Sequence, residues 1–289
     1  MTDIVLPYVN GADPLWRRDY MTRHVAYSPE RFRDWGMLRY VLRSYAENMP
    51  WGDVLLVVSR ESQLPEWYCG RYALHSDFIP AEYLPCFNVN TIEDYLWNLP
   101  CDGRIVYTND DIVCSLPVGE DEFFHGGAPR VDFAESDGWR QNVFRRFVRT
   151  GLDIACDGLG VERYDMGKLL KPSHSMTPIC RWQLDAFRDR CMGLGTWEIT
   201  TDRESRNVNQ YVYSYIALFS GRCADSGRSM RYMDLGGDMD AVCAEIADPT
   251  AQVLCLNDNE RVKSYETRAR LLADALSGAF PNACRYERG

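Results

Sequence analysis

Four short apolar runs constrain this chain more than any other feature: residues 4–9, 54–58, 104–108 and 252–256. Each is rich in β-branched residues, too short for a buried helix, and apolar at consecutive rather than alternate positions. Runs of that kind are expected to be strands covered on both faces. Between the first two lies a helical pattern, 35–48, with Met37, Leu38, Val41, Leu42 and Tyr45 apolar and Pro50-Trp51 closing it. Residues 91–98 read as another helix, with Thr or Asn as its cap. Strands alternating with helices predict an α/β fold, a mostly parallel sheet with flanking helices.

The stretch from about 130 to 235 reads as a helical insertion, with candidate helices at 139–150, 176–190 and 208–219. A final helix places Val262, Tyr265, Ala269, Leu272 and Leu276 at spacings of three and four before Phe280-Pro281. No repeat, low-complexity tract or linker divides the sequence, so residues 1–289 are expected to form a single catalytic domain.

Charge and cysteine usage narrow the partners. A net charge of −10 argues against nucleic acid or an acidic membrane as a general partner, while leaving room for a local anion site built from a few arginines. No apolar run is long enough for a membrane-spanning helix, and the N-terminus lacks the basic start and cleavage site of a signal peptide. A cytoplasmic protein with no membrane insertion is the expectation. The 11 cysteines are odd in number, form no CxxC pair and often sit inside apolar runs, as Cys114 and Cys255 do. That usage fits buried, reduced thiols rather than disulfides or a zinc site.

The residues just after the strands point to chemistry. The first strand runs into Asn10-Gly11-Ala12-Asp13-Pro14, the third into Asn109-Asp110-Asp111, and the fourth into Asn257-Asp258-Asn259. In a parallel sheet the carboxyl ends of the strands share one edge, where ligand crevices form. Each segment alone is an ordinary turn. Together they would gather hard oxygen ligands able to hold a divalent metal, and through it a diphosphate. Arg33, Arg39 and Arg43 lie near the start of the first helix, and arginine forks match phosphate oxygens. Arg39, flanked by Leu38 and Tyr40, is the better candidate, since Arg43 fits a solvated face equally well. His174 and Glu93 each open a helical segment, and either could be a proton carrier or a structural partner.

These segments resemble, in order, the four regions of the Stealth family, which includes bacterial capsular-polysaccharide phosphotransferases and the lysosomal-targeting N-acetylglucosamine-1-phosphotransferase. The first runs from Asp3 to Trp16 through Asn10-Gly11 and Asp13-Pro14. The second begins Arg33-Asp34-Trp35-Gly36-Met37-Leu38-Arg39-Tyr40 and continues through Leu84-Pro85-Cys86-Phe87-Asn88 and Thr91-Ile92-Glu93. It closes on Tyr107-Thr108-Asn109-Asp110-Asp111. The third is Lys171-Pro172-Ser173-His174 with Arg203 and Asn207-Val208-Asn209-Gln210. The fourth is Val253 to Asn259 with its trailing helix. Cys86 and Asn207 depart from the family's usual Thr and Asp.

The resemblance implies a nucleotide-sugar-transferase-like fold and transfer of sugar 1-phosphate from a nucleotide-diphosphate sugar, UDP-linked by expectation, to a saccharide hydroxyl. It marks Glu93, Asp111, His174 and Arg203 as catalytic positions, with Arg206 competing for the last. Asn10, Gly11, Asp13 and Arg39 would lie toward the nucleotide. Mg²⁺ or Mn²⁺ would sit on Asp111 and Asp258, and His174 or Glu93 would take the acceptor's proton. The alternatives are a metal-dependent glycosyltransferase that releases nucleoside diphosphate, and a nucleotide-sugar-binding protein without catalysis.

Overall fold

The computed structural model describes residues 2–24, 29–101, 103–136, 143–162, 169–259 and 262–288. Strands β1 (Thr2–Pro7), β2 (Gly52–Val58), β3 (Arg71–Leu74) and β4 (Arg104–Tyr107) pair in parallel, with β1 between β2 and β4. The apolar runs are continuous because both faces are covered. Ile4, Leu6, Val54, Leu56 and Val58 face one core, while Val5, Leu55, Val57, Ile105 and Tyr107 face another. Helix α1 (Pro14–Arg23) follows β1, capped by Asp13 with Pro14 at its first turn. Helix α2 (Leu38–Asn48) then buries Val41, Leu42 and Tyr45 in the first core, 0% exposed.

Beyond β4 the chain enters a second sheet. Strand β5 (Ile112–Cys114) is separated from β4 by four residues. It pairs antiparallel with β8 (Val253–Asn257), which pairs in parallel with β7 (Met230–Asp234). The run at 252–256 is thus a strand, as expected, but belongs to this three-stranded sheet rather than the main one. Its carboxyl end still arrives where β4 ends, because it runs against a strand that departs from there. The Leu256 amide donates to the Asp111 carbonyl at 2.8 Å.

The stretch at 130–235 is only partly helical. Helix α4 (Val143–Leu159) and α5 (Tyr211–Phe219) cover the second face, and residues 139–142 of the expected 139–150 helix lie outside the described residues. Residues 133–136 and 169–172 instead pair as an antiparallel ribbon. The 176–190 helix is replaced at its start by strand β6 (Thr177–Cys180), which closes the main sheet antiparallel to β4. An edge strand tolerates Pro178, which has no amide hydrogen to offer a neighbour. Helix resumes at Arg181–Ala186. Helix α3 (Val89–Asp94) is shorter than 91–98 and starts earlier, capped by Asn88, whose carboxamide oxygen accepts from the Asn90 amide at 3.1 Å. Helices α6 (Met239–Ala247) and α7 (Tyr265–Ala279) flank the second sheet. All eleven cysteines are free thiols, and none of the helices described is long and apolar enough to cross a membrane.

Tyr45 ties the two sheets together. Its buried hydroxyl meets Thr108 Oγ1 at 2.8 Å and donates to the Ile112 carbonyl at 2.7 Å, bracketing the Asn109–Asp111 passage. Tyr45→Phe would leave that carbonyl without its donor in a dry environment. We expect a loss of about 1–3 kcal/mol in unfolding free energy, seen as a lower urea midpoint at unchanged slope. An unshifted midpoint would show that this bracket contributes nothing.

Candidate active site

The strand order reverses between β1 and β4: β2 and β3 continue on one side of β1, β4 lies on the other. A crevice is expected outside the carboxyl ends at such a switch point. A cleft of about 1470 Å³ opens there. Its lining includes Tyr8 and Val9 after β1, Asn109-Asp110-Asp111 after β4, and Asn257-Asp258-Asn259 after β8. Glu93, His174 and Arg203 join them from three further segments.

Glu93, on α3, is 3% exposed. Its Oε1 accepts from the Tyr107 hydroxyl at 2.9 Å and its Oε2 from the Gln210 amide at 2.9 Å, while its carbonyl accepts from the Tyr213 hydroxyl at 2.8 Å. With the Gln210 carboxamide turned nitrogen-inward, that side chain donates to both carboxylate oxygens as well. Burial pushes the Glu93 carboxyl up to about 7, against the opposing pull of these donors and of the Arg203 charge. Arg203 lies over the Phe147 ring, 5.6 Å from its centroid.

The loop carrying Arg203 is held by Asn207, which explains the amide at that position. Asn207 Nδ2 donates to the Glu198 carbonyl at 2.9 Å, while its Oδ1 accepts from the Glu204 amide at 2.6 Å and from Asn88 Nδ2 at 2.9 Å. An aspartate would set an acceptor against the Glu198 carbonyl. Arg206, the competing arginine, instead pairs with Glu198 at 2.6 Å and is absent from the cleft lining. Cys86 is likewise engaged, its thiol directed to the Asn88 carbonyl at 3.3 Å.

The acids after β4 are crowded. Burial, then the charges of Asp111 and Asp34, raise Asp110 to about 8, and burial raises Asp111 to about 6. Asp111 Oδ1 is buried without a hydrogen-bond partner, and Cys255 Sγ lies 3.8 Å from its Oδ2. Asp111, His174 and Cys255 each offer a ligand atom within 4.8 Å of the others. A carboxylate with an unsatisfied buried oxygen beside a histidine and a thiol fits a divalent cation, whose charge would reverse the penalty on ionising the acid. His174 Nδ1 is 3.1 Å from the Tyr211 hydroxyl, and burial, aided by the Lys171 charge, lowers its ring to about 4. The imidazole is therefore neutral near pH 7.

The other sequence candidates are placed differently. Asp258 lines the cleft, but its Oδ2 accepts from Arg33 Nε at 2.6 Å and Trp35 Nε1 at 2.7 Å, and its Oδ1 from Arg33 Nη2. A cation there would compete with that fork. Arg33, over the rings of Trp35 and Tyr265, stands at the cleft in the place expected for Arg39. Arg39 points instead to Glu287 at 3.3 Å and over the Trp67 ring. Asn10, Gly11 and Asp13 lie outside the cleft lining. Asn10 Oδ1 accepts from the Ala12 amide, and Asp13 caps α1 and accepts from Ser62 and Gln63, both at 2.6 Å. Tyr107, Asp110, Gln210 and Cys255 all stand in the motif segments, yet only the fold aims them here.

A family model described as Stealth protein CR2, conserved region 2, matches residues 31–131. Capsular polysaccharide phosphotransferase WcwK of Streptococcus pneumoniae is 22% identical, over 99% of this chain and 98% of its own length. Exopolysaccharide phosphotransferase SCO6023 of Streptomyces coelicolor is 26% identical over 99% of this chain, and capsular polysaccharide phosphotransferase LcbA of Neisseria meningitidis is 30% identical over 61%. The chain spans 52% and 53% of those two proteins. Among solved structures, the apo-form glycosyltransferase GlyE of Streptococcus pneumoniae TIGR4 aligns over 99% of this chain and 65% of its own, at 11% identity and a TM-score of 0.33, too slight a likeness to bear on function. The matched conserved region contains Arg33, Glu93 and Asp111, and the curated relatives extend the similarity across the remaining cleft segments: this chain is a transferase that shares a conserved region of the Stealth proteins and resembles polysaccharide phosphotransferases along its length.

Proposed function

We propose that the chain, acting as one catalytic unit in the cytoplasm, transfers sugar 1-phosphate from a nucleotide-diphosphate sugar to a saccharide hydroxyl in the synthesis of a surface polysaccharide. One observation carries this reading: Glu93, Asp111, His174 and Arg203, remote in sequence, line a single cleft at the switch point of a parallel sheet. The names of the relatives supply the reaction class.

An acceptor oxygen attacks the sugar-proximal phosphorus, the bond to the nucleoside monophosphate breaks, and the acceptor proton passes to the protein. Phosphoryl transfer asks the protein mainly to position groups and offset charge. His174 suits the proton: its ring is neutral and oriented by Tyr211. Glu93 is poorly placed for that role, since Tyr107 and Gln210 occupy both its oxygens, and it acts by holding Arg203 toward the phosphate. Mg²⁺ or Mn²⁺, held by Asp111 with Asp110 beside it, would neutralise the diphosphate when bound. Asp258 joins only if Arg33 gives it up. Arg33, so released, is placed to meet a phosphate oxygen.

Incubation with UDP-sugars, a saccharide acceptor and Mg²⁺ is expected to release UMP and form a phosphodiester visible by phosphorus NMR. Release of UDP would contradict phosphotransfer and indicate a glycosyltransferase. His174→Ala should lower kcat by about 10²- to 10⁴-fold; near-normal turnover would remove His174 from the chemistry.

A second expectation concerns pH. Asp110 and Asp111 titrate above the ordinary carboxylate range, so their contribution to stability is complete only below that range and is lost as pH rises through about 6 and about 8. A cation offsets the loss. The rise in thermal midpoint on adding Mn²⁺ should therefore be larger near about pH 8.5 than near about pH 5.5, and an equal rise at both would place the cation away from these acids.

A further inference from the structure

Beside the main cleft, a smaller cavity of about 290 Å³ opens at the carboxyl ends of β2 and β3. Trp16, Ser59, His75 and Phe87 line both spaces, so the two adjoin. Ser59 and Arg60 follow β2 directly, and His75 follows β3. Three polar atoms there are buried without a hydrogen-bond partner: Ser59 Oγ, Arg60 Nε and His75 Nδ1. His75 is 5% exposed. Burial lowers its ring to about 4, which keeps the imidazole neutral. It then carries one donor and one acceptor nitrogen.

Buried polar atoms are nearly always paired, so three orphans around one cavity ask for a polar occupant. The walls indicate its shape. Trp16 is 2% exposed and meets Phe87 edge-on, with ring centroids 5.6 Å apart. Arg60 has its charge met by Asp19, which pairs with its Nη2, while its Nε is left as a donor. Aromatic walls with a neutral donor-acceptor pair suit a flat, polar, uncharged heterocycle better than a sugar phosphate.

Position agrees. Strands lie about 4.8 Å apart, so the end of β3 is roughly 10 Å from the end of β1 and roughly 14 Å from that of β4. A diphosphate over the β1/β4 crevice would extend its nucleoside along this edge, as dinucleotides do in doubly wound sheets.

We propose that this side cavity receives the nucleobase of the donor, with Ser59 and His75 reading its polar edge and Trp16 and Phe87 confining its plane. The proposal rests on the nucleotide-sugar reading above, and it assigns base recognition to the ends of β2 and β3.

Calorimetric titration with UMP, CMP, AMP and GMP, each compared with ribose 5-phosphate in the presence of Mg²⁺, tests it. The intact chain should bind one nucleotide at least about tenfold more tightly than ribose 5-phosphate, in line with the contribution of one stacked base. Ser59→Ala, which adds no bulk, should cut that preference by about 3- to 10-fold, the loss of one hydrogen bond. His75→Phe should nearly abolish it while binding of ribose 5-phosphate stays unchanged. A preference unaltered in both variants would overturn the base assignment and leave the donor reading standing. Absence of any nucleotide binding to the intact chain would overturn both.

Discussion

Between Tyr107 and Ile112 the chain leaves one sheet and enters another, and the site depends on how that passage is fixed. The Tyr45 hydroxyl holds Thr108 on one side and the Ile112 carbonyl on the other, and the Leu256 amide holds the Asp111 carbonyl. Within this bracket Asp110 and Asp111 have little freedom to spread apart, although burial opposes the ionisation of both and the charge of Asp111 opposes that of Asp110. The stability of both cores is thus used to hold two acids close together. That arrangement is costly for an empty cleft and suited to a bound cation.

Around this point the fold recruits from remote segments. Because β8 runs against β5, its end returns to the passage and delivers Cys255 and Asp258. Asn88 and Asn207 fasten α3 to the loop carrying Arg203, so Glu93 and Arg203 are positioned as one unit. The charges also partner one another in waiting. Arg33 covers Asp258, and Arg203 offsets Glu93. A dianionic donor with its cation would redistribute both pairs, supplying phosphate to the arginines and positive charge to the acids.

Much of the fold is legible in the sequence because both-face burial leaves consecutive apolar residues, and the strand-end motifs keep Asn109–Asp111 and Asn257–Asn259 in view. Arg203 is legible only through family motifs; Glu93 and His174 show in the sequence as a proton carrier or a structural partner, and nothing in the spacing of the three brings them together. The strand at 177–180 is hidden because Met176 to Arg190 carries enough apolar residues to imitate a helix, and only edge pairing with β4 makes Pro178 acceptable. The apolar neighbours of Arg39 favour it over Arg43 in the sequence, yet it turns toward Trp67 and Glu287, and Arg33 stands at the cleft instead. Asp13 resembles a ligand and is a helix cap, a role that its proximity to Pro14 also suits. Ser59 and His75 give no signal at all, since a lone Ser and His after strands are commonplace until a cavity lies between them.

In the proposed reaction the acids after β4 would hold the cation that meets the donor's diphosphate. An anomalous-difference map from crystals grown with Mn²⁺ and UDP tests it most directly. A peak is expected about 2.1 Å from a carboxylate oxygen of Asp111, with the diphosphate against it and Arg33 turned from Asp258. A diphosphate bound in the cleft with manganese elsewhere, or with none, would contradict it.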